Sequence, residues 1–126
     1  MLRITLVGLA GLVGTLCRYW LSGAVGRRYG EEFPWGTLAV NVAGCFVVGL
    51  LYQLLQERGQ ASETARAAVF VGLLGGFTTF SSYGLQTIAL LREGRVGFAA
   101  LNVVASNLLG LSMVYAGYWL ARLAAA

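Results

Sequence analysis

A polar, glycine-containing stretch interrupts one of the most apolar parts of this chain. It reads GGFTTFSSYG from residue 75 to 84 and lies inside an uncharged run, residues 67–91. Adjacent glycines and hydroxyl side chains lower helix propensity. In a membrane, unwound backbone is tolerated only where it is buried in protein or lines a cavity. The stretch therefore predicts a helix broken mid-membrane, whose positive half-helix end can face an anion and whose freed carbonyls can hold a cation.

The same stretch also fits an interpretation in which it only packs. Gly72 and Gly76 form a GxxxG pair, a spacing that lets two membrane helices approach closely. Phe77, Phe80 and Tyr83 recur every three residues, which is more often a packing stripe than a binding site. The edge of an aromatic ring nevertheless carries positive partial charge, so such rings can also line an anion path. Both interpretations stay open at this point.

Side-chain amides lie in two other apolar runs. Asn41 follows Thr37 by four residues, and Asn102 and Asn107 flank Ser106 further along the chain. A buried amide must find hydrogen-bond partners, and its NH₂ group can donate to an anion. The alternative for each asparagine is a hydrogen bond that holds two helices together.

Arg18 is the only charged residue well inside an apolar run. A charge at that depth costs about 2.5 kcal/mol or more unless it is paired or solvated. The structural interpretation is that the guanidinium bonds backbone carbonyls or reaches toward a polar surface. The functional interpretation is that it attracts an anion.

The elements that must position these residues follow from the distribution of charge. The chain has 126 residues, of which 58% are hydrophobic and 11% charged, against about 25% charged in soluble domains. About 20 apolar residues cross a bilayer as a helix. The sequence predicts an all-α, multi-pass membrane protein with one domain, residues 1–126, and four helices. The approximate spans are 2–25, 36–56, 63–91 and 96–121.

Several function classes are excluded by the residues that are missing. The chain contains no His, and its five acidic residues are all Glu, so neither a Ser-His-Asp triad nor a histidine-based zinc site can be assembled. We therefore predict that the protein is not an enzyme. The nine arginines are scattered rather than arranged in a basic stripe, which argues against a nucleic-acid partner.

Arginines give no preferred orientation to four spans. Each side of the membrane would carry four of them, and the arginine bias is what fixes topology. This tie favours dual topology, in which two oppositely oriented copies form an antiparallel homodimer. One side holds Arg3, Arg58, Arg66 and Arg122, and the other holds Arg27, Arg28, Arg92 and Arg95.

Two motifs resemble one known family. GTLAVNVAG at residues 36–44 and GLLGGFTTFSS at 72–82, with Arg18-Tyr19 after a glycine-rich first helix, are similar to the CrcB/Fluc family of fluoride channels. The resemblance covers the whole chain. It implies a dual-topology homodimer in the cytoplasmic (inner) membrane that exports fluoride passively through two pores.

The resemblance also implies residue roles. Asn41 would face the pore, Phe80 would present its ring edge to fluoride, and Tyr83 would take the second aromatic position. Thr37, Ser81 and Ser82 would supply polar wall, and Arg18 would be a structural and electrostatic cation near the vestibule. Backbone carbonyls of Gly75 and Thr78 from both subunits would hold a structural sodium ion at the dimer interface.

Three residues depart from the family pattern. Tyr83 stands where the family usually has a second Phe, Gln86 where many members have Glu, and Asn107 where a smaller hydroxyl residue is usual.

An alternative function is a small secondary exporter of the multidrug-resistance type. Ion-coupled transport generally needs a carboxylate inside the membrane, and the first apolar run has none.

The fluoride-channel interpretation makes a direct prediction. Asn41→Asp or Phe80→Ile is expected to abolish fluoride efflux.

Overall fold

The part of the chain that the structure describes forms four long apolar helices, as the sequence predicts. The structure is a computed structural model that describes residues 1–57, 59 and 61–124, with only the backbone of 56 and 57; Arg58, counted above for orientation, lies outside this set. The helices are long and apolar enough to cross a membrane, and this confirms the all-α, multi-pass prediction. They are Leu2–Tyr29, Trp35–Leu55, Glu63–Arg92 and Val96–Leu123.

The first helix, α1 (Leu2–Tyr29), extends four residues beyond the predicted end at residue 25. Nothing in this part of the sequence stops a helix before Gly30, which takes a positive φ of 85°. Its N–H donates to the carbonyl of Gly26 at 2.9 Å. Arg27 and Arg28 lie in the last turn, where positive charge interacts favourably with the helix dipole.

The second helix, α2 (Trp35–Leu51), begins directly after the single proline and continues in wide π-type turns from Tyr52 to Glu57. It forms the centre of the molecule, packed mainly against the last helix, α6 (Val96–Leu123). Val40 is completely buried. The two helices approach closely at small residues, because a Cβ added to Gly117 would lie 2.9 Å from the backbone nitrogen of Leu50.

The third span is built from several helical pieces. It comprises α3 (Glu63–Arg66), a π-helical segment (Ala67–Leu74), α4 (Gly75–Phe77) and α5 (Phe80–Arg92). Between α4 and α5, Thr78 (φ −83°, ψ 157°) and Thr79 (φ −148°, ψ 110°) are extended. The helical hydrogen-bond ladder is therefore interrupted near the middle of this candidate span. We call these two extended residues, Thr78 and Thr79, the interruption.

The first part of the third span, residues 63–77, packs on α1 through the GxxxG pair. A Cβ added to Gly72 would lie 2.6 Å from the Val7 carbonyl oxygen, and one added to Gly76 would lie 2.5 Å from that of Gly11. Only glycine permits this approach of two backbones. Close packing through Gly72 and Gly76 and the interruption at Thr78 and Thr79 thus occur side by side in one short stretch of the third span.

Candidate functional site

Asn41 of α2 binds the interruption of the third span through both ends of its amide. Its Nδ2 donates to the carbonyl oxygen of Thr79 at 3.0 Å, and its Oδ1 accepts from the Thr79 N–H at 2.8 Å. The amide thus pairs with the backbone of Thr79 as a neighbouring β-strand would. It satisfies the Thr79 N–H and carbonyl groups, which are extended and outside the helical hydrogen-bond ladder. The amide has two N–H groups, so one remains after this pairing.

Thr79 also begins α5. Its side-chain oxygen accepts from the Ser82 N–H at 3.2 Å, an N-cap contact, and its hydroxyl donates to Ser82 Oγ at 3.0 Å. Ser81 Oγ lies 3.3 Å from the same oxygen. The predicted polar wall residues Ser81 and Ser82 therefore belong to the cap of α5. The positive end of this 13-residue helix is directed toward the interruption.

The carbonyl groups before the interruption have unequal surroundings. The Leu74 oxygen accepts from both the N–H and the hydroxyl of Thr78, at 3.0 and 2.9 Å, and the Gly76 oxygen accepts from Arg18. The carbonyl oxygens of Gly75 and Thr78 receive no hydrogen bond from the residues that the structure describes. These two oxygens are the predicted sodium ligands, and both remain available as acceptors.

An open groove of about 370 Å³ surrounds these groups. It brings together five predicted site residues: Asn41, Gly75, Thr78, Phe80 and Tyr83. Its described lining contains no charged residue. The remaining lining residues are Gly44, Cys45, Val48, Phe70, Leu74, Thr79, Ser106 and Asn107.

The two aromatic residues stand together on the first turn of α5. The ring centroids of Phe80 and Tyr83 are 5.3 Å apart, with the ring planes tilted by 49°. Phe80 is 82% exposed, so its ring does not pack into the core formed by the described residues.

Polar side chains join α5 to α6 next to the groove. Asn102 is 2% exposed, and its Nδ2 donates to Thr87 Oγ1 at 2.9 Å while Ser106 Oγ donates to its Oδ1 at 3.4 Å. Asn107 Nδ2 lies 3.4 Å from the Tyr83 hydroxyl oxygen. Asn102 thus holds two helices together, whereas Asn107 contacts a predicted pathway residue.

Arg18 reaches the third span from α1. Its Nε donates to the Gly76 carbonyl oxygen at 3.0 Å, the type of contact that the structural interpretation predicts. This carbonyl would otherwise be unpaired, because the helix ends one residue later. The charge lies beside the interruption but does not line the groove.

Thr37 lies apart from the groove. It lines a second cavity, of about 530 Å³, together with Arg27, Glu31 and Gln86. The Oε1 atom of Gln86 is buried without a hydrogen-bond partner among the described residues. Thr37 and Gln86 lie one helical turn from Asn41 and Tyr83 respectively, so this cavity adjoins the same two helices.

Two contacts in the site could not be predicted from residue patterns in the sequence. The partner of Asn41 is the backbone of Thr79, 38 positions away, and no periodicity connects them. Asn107 and Tyr83, which the resemblance predicts to be departures from the family pattern, contact each other from two different helices. Their joint departure was the one signal in the sequence that could have suggested this pair.

A family model matches nearly the whole chain. Residues 5–118 match the model described as "CrcB-like protein, Camphor Resistance (CrcB)". The match covers α1, α2, the interrupted third span and most of α6.

Curated relatives match over similar lengths. The chain is 44% identical over 125 residues to "Fluoride-specific ion channel FluC" of Methylobacillus flagellatus, covering 98% of this chain and 97% of that protein. The protein of the same name from Opitutus terrae is 48% identical over 114 residues, with 89% and 86% covered. The one from Agrobacterium fabrum is 42% identical over 122 residues, with 97% and 98% covered.

Proposed function

This chain belongs to the CrcB-like family, and from that premise we propose that it is a fluoride-selective ion channel that exports fluoride passively across the cytoplasmic membrane. Relatives at 42–48% identity carry the name of a fluoride-specific channel, which places this protein among ion channels and not among enzymes. The observation that carries the proposal at the residue level is the pairing of Asn41 with the interruption of the third span, inside an uncharged groove.

The groove has the chemistry that a fluoride path needs. Fluoride is small and strongly hydrated, so a pore must replace its water with hydrogen-bond donors. The remaining N–H of Asn41, the ring edge of Phe80 and the positive end of α5 all favour an anion. The absence of lysine and arginine from the described lining keeps binding weak enough for release, a condition for conduction.

The proposal includes a second, inverted copy of the chain. In a bilayer, the groove and the exposed Phe80 ring of a single subunit would face lipid, where unpaired polar groups cost several kcal/mol each. A partner subunit that covers this face would remove that cost and close the groove into a pathway. The equal division of arginines between the two sides supports opposite orientations.

The proposal also includes a structural sodium ion at the dimer interface. Sodium prefers oxygen ligands, and the carbonyl oxygens of Gly75 and Thr78 are acceptors without partners among the described residues. Both residues line the groove on an accessible face, so the same carbonyls of an inverted partner can complete the ligand set. When bound, the ion would supply positive charge between the interrupted third spans of the two subunits and so stabilise their contact.

The alternative of a multidrug-type secondary exporter finds no support in the comparisons, because the relatives are named as channels. A fluoride-electrode assay on purified protein in liposomes tests the proposal. Efflux of fluoride but not of chloride, unchanged when the proton gradient is dissipated, is expected. Fluoride efflux no faster than from empty liposomes would refute the channel, and dependence on the proton gradient would indicate coupled transport instead.

A further inference from the structure

The hydroxyl group of Tyr83 is held by Asn107. The Nδ2 group of Asn107 has two hydrogens: one is directed to the Val103 carbonyl oxygen at 2.8 Å, and the other to the Tyr83 oxygen at 3.4 Å. In this pair the tyrosine oxygen is the acceptor. Its own hydrogen must therefore point elsewhere, and no described residue accepts it. Both side chains line the groove.

We propose that Tyr83 is a fluoride-selecting residue of this channel, whose O–H donates a hydrogen bond to the anion in the groove, and that Asn107 is the positioning residue which turns that hydrogen toward the ion. This inference rests on the proposed function. It assigns to Tyr83 a donor that an aromatic ring edge alone does not supply.

Other hydroxyl groups that line the groove are already committed as donors. Ser106 donates to Asn102 Oδ1, Thr78 donates to the Leu74 carbonyl oxygen at 2.9 Å, and Thr79 donates to a serine of the α5 cap. Among the described hydroxyl groups that line the groove, only that of Tyr83 has a hydrogen for which no described residue is the acceptor. With the remaining N–H of Asn41, it gives the groove two polar donors, one from α2 and one from α5.

An O–H donor favours fluoride over larger halides. Hydrogen bonds from O–H to an anion are short and about twice as strong as those between neutral groups, and their electrostatic part decreases with the radius of the ion. The Phe80 ring lies 5.3 Å from the Tyr83 ring. Both rings line the groove, so the two side chains act on the same part of the proposed path.

Single-channel or macroscopic current in planar bilayers, measured against fluoride concentration, tests both roles. Tyr83→Phe is expected to raise the half-saturating fluoride concentration about tenfold, as for one hydrogen bond to a charged group. The maximum current should stay within about twofold, since the ring is retained.

Asn107→Leu is expected to raise the half-saturating fluoride concentration about threefold, because the hydroxyl remains but is no longer oriented. Tyr115→Phe is the matched control, since its ring lies against Trp119 outside the groove.

A variant that combines Tyr83→Phe with Asn107→Leu tests whether Asn107 acts by orienting the Tyr83 hydroxyl. If Asn107 acts through the hydroxyl, Asn107→Leu adds nothing to Tyr83→Phe, because the group that it orients is gone. An unchanged half-saturating concentration in Tyr83→Phe, or an undiminished effect of Asn107→Leu in the Tyr83→Phe background, overturns the inference while fluoride current persists. A wild-type protein that carries no fluoride current overturns the proposed function, and this inference with it.

Discussion

Replacing Asn41 by aspartate changes the site with almost no change in shape. The introduced carboxylate keeps the oxygen that accepts from the Thr79 N–H, but its second oxygen would face the Thr79 carbonyl oxygen, where Nδ2 now donates at 3.0 Å. The variant loses one hydrogen bond, gains a repulsive contact and places a negative charge on the groove wall. We expect Asn41→Asp to abolish measurable fluoride efflux.

The magnitude follows from the added charge. A carboxylate about 5 Å from a passing anion raises its energy by about 3 kcal/mol at an effective dielectric constant of about 20. This energy corresponds to a factor of about 200 in rate. The lost hydrogen bond adds about 1 kcal/mol to the destabilisation of the folded protein.

Asn41→Leu separates the two contributions. It removes both hydrogen bonds to Thr79 without adding charge, and should destabilise the protein by about 2–4 kcal/mol because two backbone groups lose their partner. Fluoride efflux from liposomes and thermal unfolding in detergent are measured for both variants. We expect Asn41→Leu to unfold at the lower temperature and Asn41→Asp to have the lower flux.

One result would refute this reasoning. If Asn41→Asp protein elutes as the wild type does from a sizing column and still passes fluoride at more than about a tenth of the wild-type rate, far above the loss that the added charge predicts, Asn41 does not face the ion. The groove would then not be the fluoride path.

Four further outcomes are expected. Phe80→Ile should lower fluoride efflux at least about tenfold by removing a ring edge, with little change in unfolding temperature because the ring is 82% exposed. Gly76→Ala should destabilise the protein by about 2 kcal/mol, since its Cβ would lie 2.5 Å from a backbone oxygen of α1, whereas the control Gly84→Ala, with open space around it, should be neutral or stabilising in the same melt. Thr79→Val should cost about 1 kcal/mol in chemical unfolding by removing the cap of α5. Arg18→Met should lower both stability and efflux by leaving the partly buried Gly76 carbonyl unpaired, which parallel melting and flux assays would detect.

The helices could be predicted from the sequence because the bilayer sets their length directly. Uncharged runs of about 20 residues or more are typical of helices that cross a bilayer. The positions of the charges therefore predict the four spans. The ends are less well determined, as α1 illustrates. Its predicted end at residue 25 depended on the arginines nearby, yet a helix tolerates arginine in its last turn and stops only at Gly30.

The site was only partly accessible to the same reasoning. The GGFTTFSSYG stretch pointed to the right region because its residues are poor helix formers. The interruption, however, is held by Asn41, which lies in another helix, and such a tertiary contact leaves no local pattern. Thr37 shares the face of Asn41 in sequence but lies in a separate cavity, because one helical turn is enough to pass from one cavity to the next.

The two halves of the third span are supported by different helices. Residues 63–77 pack mainly on α1, whereas α5 packs mainly on α6. Thr78 and Thr79, between the halves, have extended backbone, and the amide of Asn41 binds the backbone of Thr79 to α2. The junction of the two halves therefore depends on a side chain of a third helix, and removing that amide leaves the Thr79 backbone groups without it while the contacts with α1 and α6 stay in place.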